Sequence, residues 1–165
     1  IKAYRKTIEL DDNVYPVWSN LMYSYEAVGD LKNLRDIATD ALDLYPNQAE
    51  IYRYYGRAYA ATGDMSEAID ILKEGIFVAG KNSVAKSNIS SELSRTYMLK
   101  GDLENAQKYI DQALSISENK NPLAAEIQGD IYYKKNKKKE ARAQWENAVR
   151  LGGQTPSLSE KLNKV

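Results

Sequence analysis

The hydrophobic pattern of this chain has the period of the α-helix, with apolar residues three and four positions apart and polar residues between them. Glycine, asparagine and aspartate interrupt the pattern at regular intervals, where one helix would end and the next begin. We therefore predict an all-α fold. Its helices are expected at residues 15–28, 31–44, 48–61, 65–79, 84–99, 103–116, 122–135 and 138–151.

The pattern repeats. Tyrosines recur at spacings of 34, 38 and 35 residues, and four residues after each comes glycine or asparagine, which tolerate the left-handed backbone at a helix end. Small residues recur in the second helix of each pair, where they would let paired helices approach closely. The tyrosine column is Tyr25, Tyr59, Tyr97 and Tyr132, the turn column Gly29, Gly63, Gly101 and Asn136, and the small columns Ala68, Ala106 and Ala141 and Ala41, Gly75, Ala113 and Ala148.

One repeat carries four extra residues between Gly80 and Asn88. Four residues are close to one helical turn, so an insertion of this size leaves each face of the helix in phase. We predict a turn at residues 80–83 followed by a lengthened helix. Helix starts are predicted at Asp30, Asp64, Asp102 and Asn121, whose side chains suit an N-cap.

These columns resemble the tetratricopeptide repeat, a helix pair of 34 residues. The closest correspondence is in Trp18, Leu21, Tyr25, Gly29, Ala41 and Pro46, and in Tyr52, Gly56, Tyr59, Gly63 and Ala68. Two later repeats depart from the pattern, with Ser90 at the aromatic slot and Gln128 at the leucine slot. The resemblance implies a right-handed α-solenoid of antiparallel helix pairs with a concave groove that binds peptides or protein helices.

The resemblance also divides the chain into repeats. Residues 1–13 are expected to be the second helix of a partial repeat, so that further sequence would precede Ile1, and the open apolar surface there could self-associate. Full repeats follow at 14–47, 48–82, 83–120 and 121–153. Residues 154–165 are expected to form a C-terminal capping helix, with Leu158, Leu162 and Val165 on one face.

The first helices of the repeats would line the groove. By resemblance the groove carries Ser19, Tyr23 and Glu26, then Arg53, Arg57 and Ala60, then Asn88, Ser91, Arg95 and Met98, then Glu126, Asp130 and Tyr133. From this set the predicted partner-binding residues are Tyr23, Arg53, Arg57, Arg95, Glu126, Asp130 and Tyr133. The residue set with which one subgroup of the family clamps chaperone C-termini is absent.

Arg53, Arg57 and Arg95 give the sharpest hypothesis. Arginine presents a planar fork suited to carboxylates, and Arg53 and Arg57 share one helical face. They could hold an acidic peptide or a C-terminal carboxylate, with Tyr23 and Tyr133 as flat contacts. Alternatively, these arginines pair with local acids such as Glu50 and Glu92. The sequence leaves both interpretations open.

The amino-acid composition and the motifs limit which functional sites we predict. The chain has no Cys and no His, and no phosphate loop, dinucleotide fingerprint or zinc spacing, so we predict neither an enzyme nor a metal or cofactor site. Lys and Arg together number 23, and so do Asp and Glu, so the chain has no net positive charge to attract nucleic acid. We therefore prefer a protein scaffold as the function and keep a nucleic-acid-binding repeat as the alternative. The lysine-rich run at residues 134–139 is interpreted as a solvated turn. We predict no transmembrane segment, and the cytoplasm and a bacterial cell envelope both remain open as the compartment.

Overall fold

The computed structural model describes residues 1–153 and 155–164, and within them the chain forms helices and turns with no strand. The helices are α1 (Lys2–Leu10), α2 (Tyr15–Val28), α3 (Leu31–Leu44), α4 (Ala49–Ala61), α5 (Met65–Ala79), α6 (Ser83–Lys100), α7 (Leu103–Ile116), α8 (Pro122–Lys134), α9 (Lys138–Arg150) and α10 (Pro156–Asn163). The predicted helices from α2 to α9 agree with these bounds to within one residue at each end. The all-α prediction is confirmed.

Side-chain caps explain where several helices begin. The carboxylate of Asp30 accepts a hydrogen bond from the backbone N–H of Asn33 at 3.2 Å, and Asp102 does the same for Asn105 at 3.0 Å. Asn121 accepts from the N–H of Leu123 at 2.9 Å. Each cap satisfies an N–H group that has no partner within its helix. The predicted starts at Asp30, Asp102 and Asn121 are confirmed.

Left-handed backbone marks the turn between the two helices of each pair. The predicted turn column has φ of +72° at Gly29, +93° at Gly63, +89° at Gly101 and +58° at Asn136. Only glycine reaches this region without a steric cost, and asparagine tolerates it better than most residues. The tight reversal at each position allows the next helix to fold back against the one before it.

The chain divides into two compact units, unit 1 (Ile1–Ala79) and unit 2 (Gly80–Val165). In unit 1, helices α1 to α5 pack in sequence order, each against its neighbour. One core of unit 1 is formed by buried residues from α2, α3 and α4, among them Trp18, Leu21, Leu34 and Ile51, with Tyr4 and Ile8 of α1 packed against it. The helical periodicity of the sequence placed these apolar positions on facing sides of the helices.

Unit 2 contains helices α6 to α10. The lengthened helix is confirmed: α6 has 18 residues and is capped by Asn82, whose side chain accepts from the N–H of Ala85 at 3.0 Å. Buried Ile110, Ile127 and Ile131 join α7 and α8 in one apolar cluster. Leu158 of α10 packs with Ala125, Trp145 and their neighbours in a second cluster. Val165, the third residue predicted on this face, lies outside the described residues.

No helix in the described part of the chain is both long enough and apolar enough to cross a membrane.

Candidate partner-binding surfaces

In unit 1, the predicted groove residues lie on α2 and α4, and we call Tyr23, Glu26, Arg53 and Arg57 the α2–α4 surface. Arg53 and Arg57 are one turn apart on α4, so both side chains extend from the same face. Glu26 of α2 meets both of them. Tyr23, one turn before Glu26, is 63% exposed, which is unusual for a large aromatic side chain and leaves its ring available for contact.

Arg53 is the centre of this surface, and it is buried, with only 7% of its surface exposed. Its Nη1 donates to Glu26 Oε1 at 2.9 Å and its Nη2 to Glu26 Oε2 at 3.2 Å, a two-pronged pair. Its Nε donates to Glu50. The guanidinium carbon also lies 4.0 Å from the ring centre of Tyr54. Burial opposes the charge of Arg53, but Glu50 and Glu26 outweigh it and raise its pKa well above the usual value.

These contacts join residues 27 positions apart and tie α4 to α2. They also include the pairing with Glu50 that the sequence offered as the alternative for Arg53. The side chain of Arg57 is more exposed, and its Nε lies 3.0 Å from Glu26 Oε1. A ligand carboxylate would therefore reach Arg57 more readily than Arg53, because Arg53 is enclosed by its partners.

Glu26 makes this surface sensitive to acid. Burial alone would raise its pKa, yet the charge and hydrogen bonds of Arg53, with the charge of Arg57, bring the pKa of Glu26 below its usual value of 4.5. A carboxyl whose pKa is lower in the folded state stabilises the fold above the unfolded-state pKa. That stabilisation disappears as the pH falls through the folded-state pKa.

We therefore expect the free energy of unfolding to fall as the pH is lowered from about 5 towards 3. Glu26→Gln should make this dependence less steep, because glutamine takes up no proton. Urea denaturation at a series of pH values measures the effect, with Glu9→Gln, at an exposed position of α1, as the matched control. Equal slopes for wild type and Glu26→Gln would contradict the assignment to Glu26.

In unit 2, the predicted residues lie on α6 and α8. Arg95 donates from Nη1 to Glu92 Oε2 at 3.1 Å, which is the local pair that the sequence offered as the alternative for Arg95. Ser91 and Met98 of α6 are buried, as is Ala60 of α4 in unit 1, so these three expected groove residues contribute to packing. The hydroxyl of Ser91 donates to the backbone oxygen of Ser87 at 2.8 Å and so stays within the helix.

Glu126 and Asp130 lie one turn apart on α8 and share one cation. Lys161 Nζ of α10 donates to Glu126 Oε1 at 2.6 Å and to Asp130 Oδ2 at 2.8 Å. Asp130 Oδ1 also accepts from Trp145 Nε1 at 3.0 Å. Burial is the main cause that raises the pKa of Asp130, although Lys161 and Trp145 oppose it. Both carboxylates are therefore enclosed by α9 and α10, and we call this pair the α8 acidic surface.

Tyr133 lies next to this pair on α8 and is 42% exposed, with its ring centre 5.7 Å from that of Trp145. The structure thus brings together Arg53 and Arg57 in unit 1, and Glu126, Asp130 and Tyr133 in unit 2. The sequence pattern does not identify Lys161 as a site residue, because it defines α10 by the apolar face of Leu158, Leu162 and Val165 alone. The one sequence feature that points to Lys161 is its position directly before Leu162, at the edge of the apolar face of α10.

Other features of the described residues offer less chemistry. No group of three or more acidic, histidine or cysteine side chains could hold a metal ion in that part of the chain. Unit 2 contains an open cavity of about 350 Å³ between the start of α6, the end of α7 and the start of α8. Its lining combines apolar residues such as Val84, Ile116 and Pro122 with polar ones, among them Ser87 and Asn121, which are hydrogen-bonded to each other across these helices.

The family model described as the tetratricopeptide repeat-like domain matches residues 29–165. A curated relative, the small glutamine-rich tetratricopeptide repeat-containing protein 2 of Mycosarcoma maydis, is 29% identical over 91 residues, which is 55% of this chain. The chain spans 26% of the length of that relative.

Solved structures show the same fold. A thermophilic TPR protein of Thermus thermophilus, TTC0263, matches with a TM-score of 0.78 and 16% identity, over 98% of this chain and 86% of that one. A chain in the structure of the APC/C hetero-tetramer Cut9-Hcn1 matches with a TM-score of 0.74 and 14% identity, over 98% of this chain and 31% of that one. The family match covers most of the sequence and agrees with the repeat columns and the paired helices, so this chain belongs to the tetratricopeptide repeat-like family and has its α-solenoid fold.

Proposed function

We propose that this chain is a non-catalytic scaffold that binds a peptide or a segment of another protein on the first helices of its repeats. The observation that carries this proposal is the α2–α4 surface, where an exposed aromatic ring lies beside a buried and internally neutralised ion-pair network. Aromatic residues and arginine are the side chains most enriched at the centres of protein interfaces. The lack of Cys and His in the sequence supports the non-catalytic part of the proposal.

The network suits a binding surface because it is rigid before a partner arrives. Arg53 is held by Glu26, by Glu50 and by the ring of Tyr54, so little side-chain freedom remains to be lost around it on binding. Tyr23 projects from α2 with two rotatable side-chain bonds and a large flat surface. A partner segment that covers Tyr23 would remove apolar area from water at a small entropic cost.

The finer proposal concerns the charge of the partner. Arg57 in unit 1 and Arg95 in unit 2 keep part of their side chains exposed, although each already contacts an acid. An acidic segment or a C-terminal carboxylate could share Arg57 with Glu26, since a guanidinium has five N–H donors. Arg53 would act by holding Glu26 in place.

The test compares two double variants. Tyr23→Ala/Arg57→Gln removes the exposed ring and the accessible guanidinium and leaves the Arg53 pairs intact. Phe77→Ala/Lys73→Gln makes the same two kinds of change on α5, where Phe77 is 86% exposed and Lys73 is also exposed. Each protein is immobilised and exposed to a lysate of the source organism, and the retained proteins are quantified by mass spectrometry after equal helical content has been verified.

We expect one or more proteins to be retained by the wild type and by the α5 variant but reduced at least about tenfold with the α2–α4 variant. Retention that the two variants reduce equally would contradict the site. Retention of nucleic acid alone, with a steep dependence on salt, would favour the alternative of a nucleic-acid-binding repeat. Arg57→Lys tests the finer proposal of a bound carboxylate, because lysine keeps the positive charge of Arg57 but lacks its planar fork.

A further inference from the structure

Helix α10 is the shortest described helix of unit 2 and buries the fewest side chains. It has eight residues, fewer than any of α6 to α9, and a helix of this length is marginal in water without tertiary support. Among its described side chains only Leu158 is buried, while Lys161 and Leu162 are partly buried and the others are exposed. Its link to α9 contains Gly152, with φ of +90°. We expect α10 to open more easily than the helices beneath it.

The surface under α10 nevertheless makes several specific polar contacts with the α10 segment. Glu126 is only 3% exposed, and three donors from the α10 segment reach its carboxylate. These are Lys161 Nζ at 2.6 Å, Ser157 Oγ at 3.0 Å and Thr155 Oγ1 at 3.3 Å. Asp130, one turn further along α8, accepts from the same lysine. Charge-assisted hydrogen bonds of this kind define both the sign and the position of the cation that fits.

An apolar contact fixes the orientation of the bound helix. Leu158 is 2% exposed and packs with Ala125 of α8 and with Trp145 and Ala148 of α9. Leu162 adds a partly buried contact one turn later. Lys161 lies between these leucines in sequence, so the same short helix presents a leucine stripe to the apolar cluster and an ammonium group to the α8 acidic surface.

We propose that the α8 acidic surface is a docking site for a short lysine-bearing amphipathic helix of a partner protein, and that α10 occupies it in the absence of that partner. The proposal rests on the scaffold function proposed above and names a chemistry for the partner of unit 2. The partner helix would carry a serine or threonine near its start, leucines one turn apart, and a lysine one residue before the second leucine. Because one lysine neutralises two carboxylates at this surface, the surface favours a lysine-bearing helix over an acidic one.

This arrangement predicts competition. A segment tethered to its own site has an effective concentration of about millimolar, so α10 opposes any helix that binds from solution. The apparent affinity of the incoming helix is reduced by the fraction of molecules in which the surface is free. Weakening α10 without altering α8 should therefore increase binding of the external helix.

The experiment uses the full chain and a fluorescent synthetic peptide with the sequence of residues 154–165. The peptide is titrated against the wild type, against Lys161→Ala, which removes the shared cation from α10, and against Lys164→Ala, a matched change at an exposed position of the same segment. Fluorescence anisotropy gives the dissociation constant. A second peptide in which the lysine equivalent to Lys161 is replaced by glutamate tests the charge requirement.

We expect the wild-type peptide to bind the Lys161→Ala chain at least about tenfold more tightly than it binds the wild type or Lys164→Ala. The glutamate peptide should bind none of the three. Equal affinity for all three chains, or binding of the glutamate peptide as tight as that of the lysine peptide, would overturn the proposal.

Hydrogen exchange on the unmodified chain gives a second measurement that does not depend on how Lys161→Ala folds. Saturating peptide should speed amide exchange in residues 157–163 and leave α8 and α9 protected, because the peptide replaces α10 without unfolding the surface below. Unchanged exchange in α10 would overturn the proposal. Peptide binding without any captured protein would instead count against the scaffold function, so failure of the two proposals is distinguishable.

Discussion

Replacement of Arg53 by alanine is expected to destabilise unit 1 by roughly 3 kcal/mol. The substitution removes the cation that lies between Glu26 and Glu50 and leaves two partly buried carboxylates without it. Arg57 can still neutralise Glu26, which keeps the loss below that of a fully isolated buried charge. The packing of the guanidinium against the Tyr54 ring is lost as well. Urea denaturation followed by circular dichroism measures the change.

A double-mutant cycle separates the ion pair from the packing. The variants are Arg53→Met, Glu26→Gln and the two combined, since methionine and glutamine keep much of the volume. We expect the combined variant to be at least about 1 kcal/mol more stable than additivity of the single changes predicts. Lys32→Ala, at an exposed position of α3, should change stability by less than about 0.5 kcal/mol. Strictly additive effects would contradict a coupled pair.

Repetition is the reason that the helices could be predicted so closely from one sequence. The same boundary signals recur in successive repeats: a turn residue such as Gly29 or Asn136 ends one helix, and a capping residue such as Asp30 or Asp102 begins the next. A single position with an uncertain propensity matters little when equivalent positions agree. The lengthened α6 followed from the same logic, because an insertion of about one turn is the change that keeps both faces of a helix in register.

The partners of the charged side chains could not be predicted in the same way. From the sequence, Arg53 could bind either a ligand or Glu50. Its two-pronged pair with Glu26 joins residues 27 positions apart and depends on how closely α2 and α4 pack. The enclosure of Glu126 by Lys161 depends on the orientation of α10, across 35 positions. Periodicity identifies a face of a helix, whereas an ion pair requires the distance between two faces.

Alanine at Gly129 is expected to destabilise unit 2 by roughly 2–3 kcal/mol. A Cβ atom there would lie 2.5 Å from both Cδ1 and Nε1 of Trp145 and 3.0 Å from the backbone oxygen of Ala141. Movement of the indole would disturb its hydrogen bond to Asp130, and the backbone of α9 cannot yield without separating the two helices. The helical preference of alanine over glycine, about 1 kcal/mol, opposes this loss but is smaller.

Gly56→Ala is the matched comparison, because Gly56 occupies the equivalent place in unit 1. The closest atoms to its added Cβ are all in the side chain of Leu72, with Cγ at 2.5 Å. A leucine side chain that donates no hydrogen bond can adjust by rotation more easily than an indole held by a carboxylate. We therefore expect Gly56→Ala to cost less than Gly129→Ala in thermal and urea unfolding, and only Gly129→Ala to change the fluorescence of Trp145. A Gly129→Ala chain as stable as the wild type would show that helical preference outweighs close packing between α8 and α9.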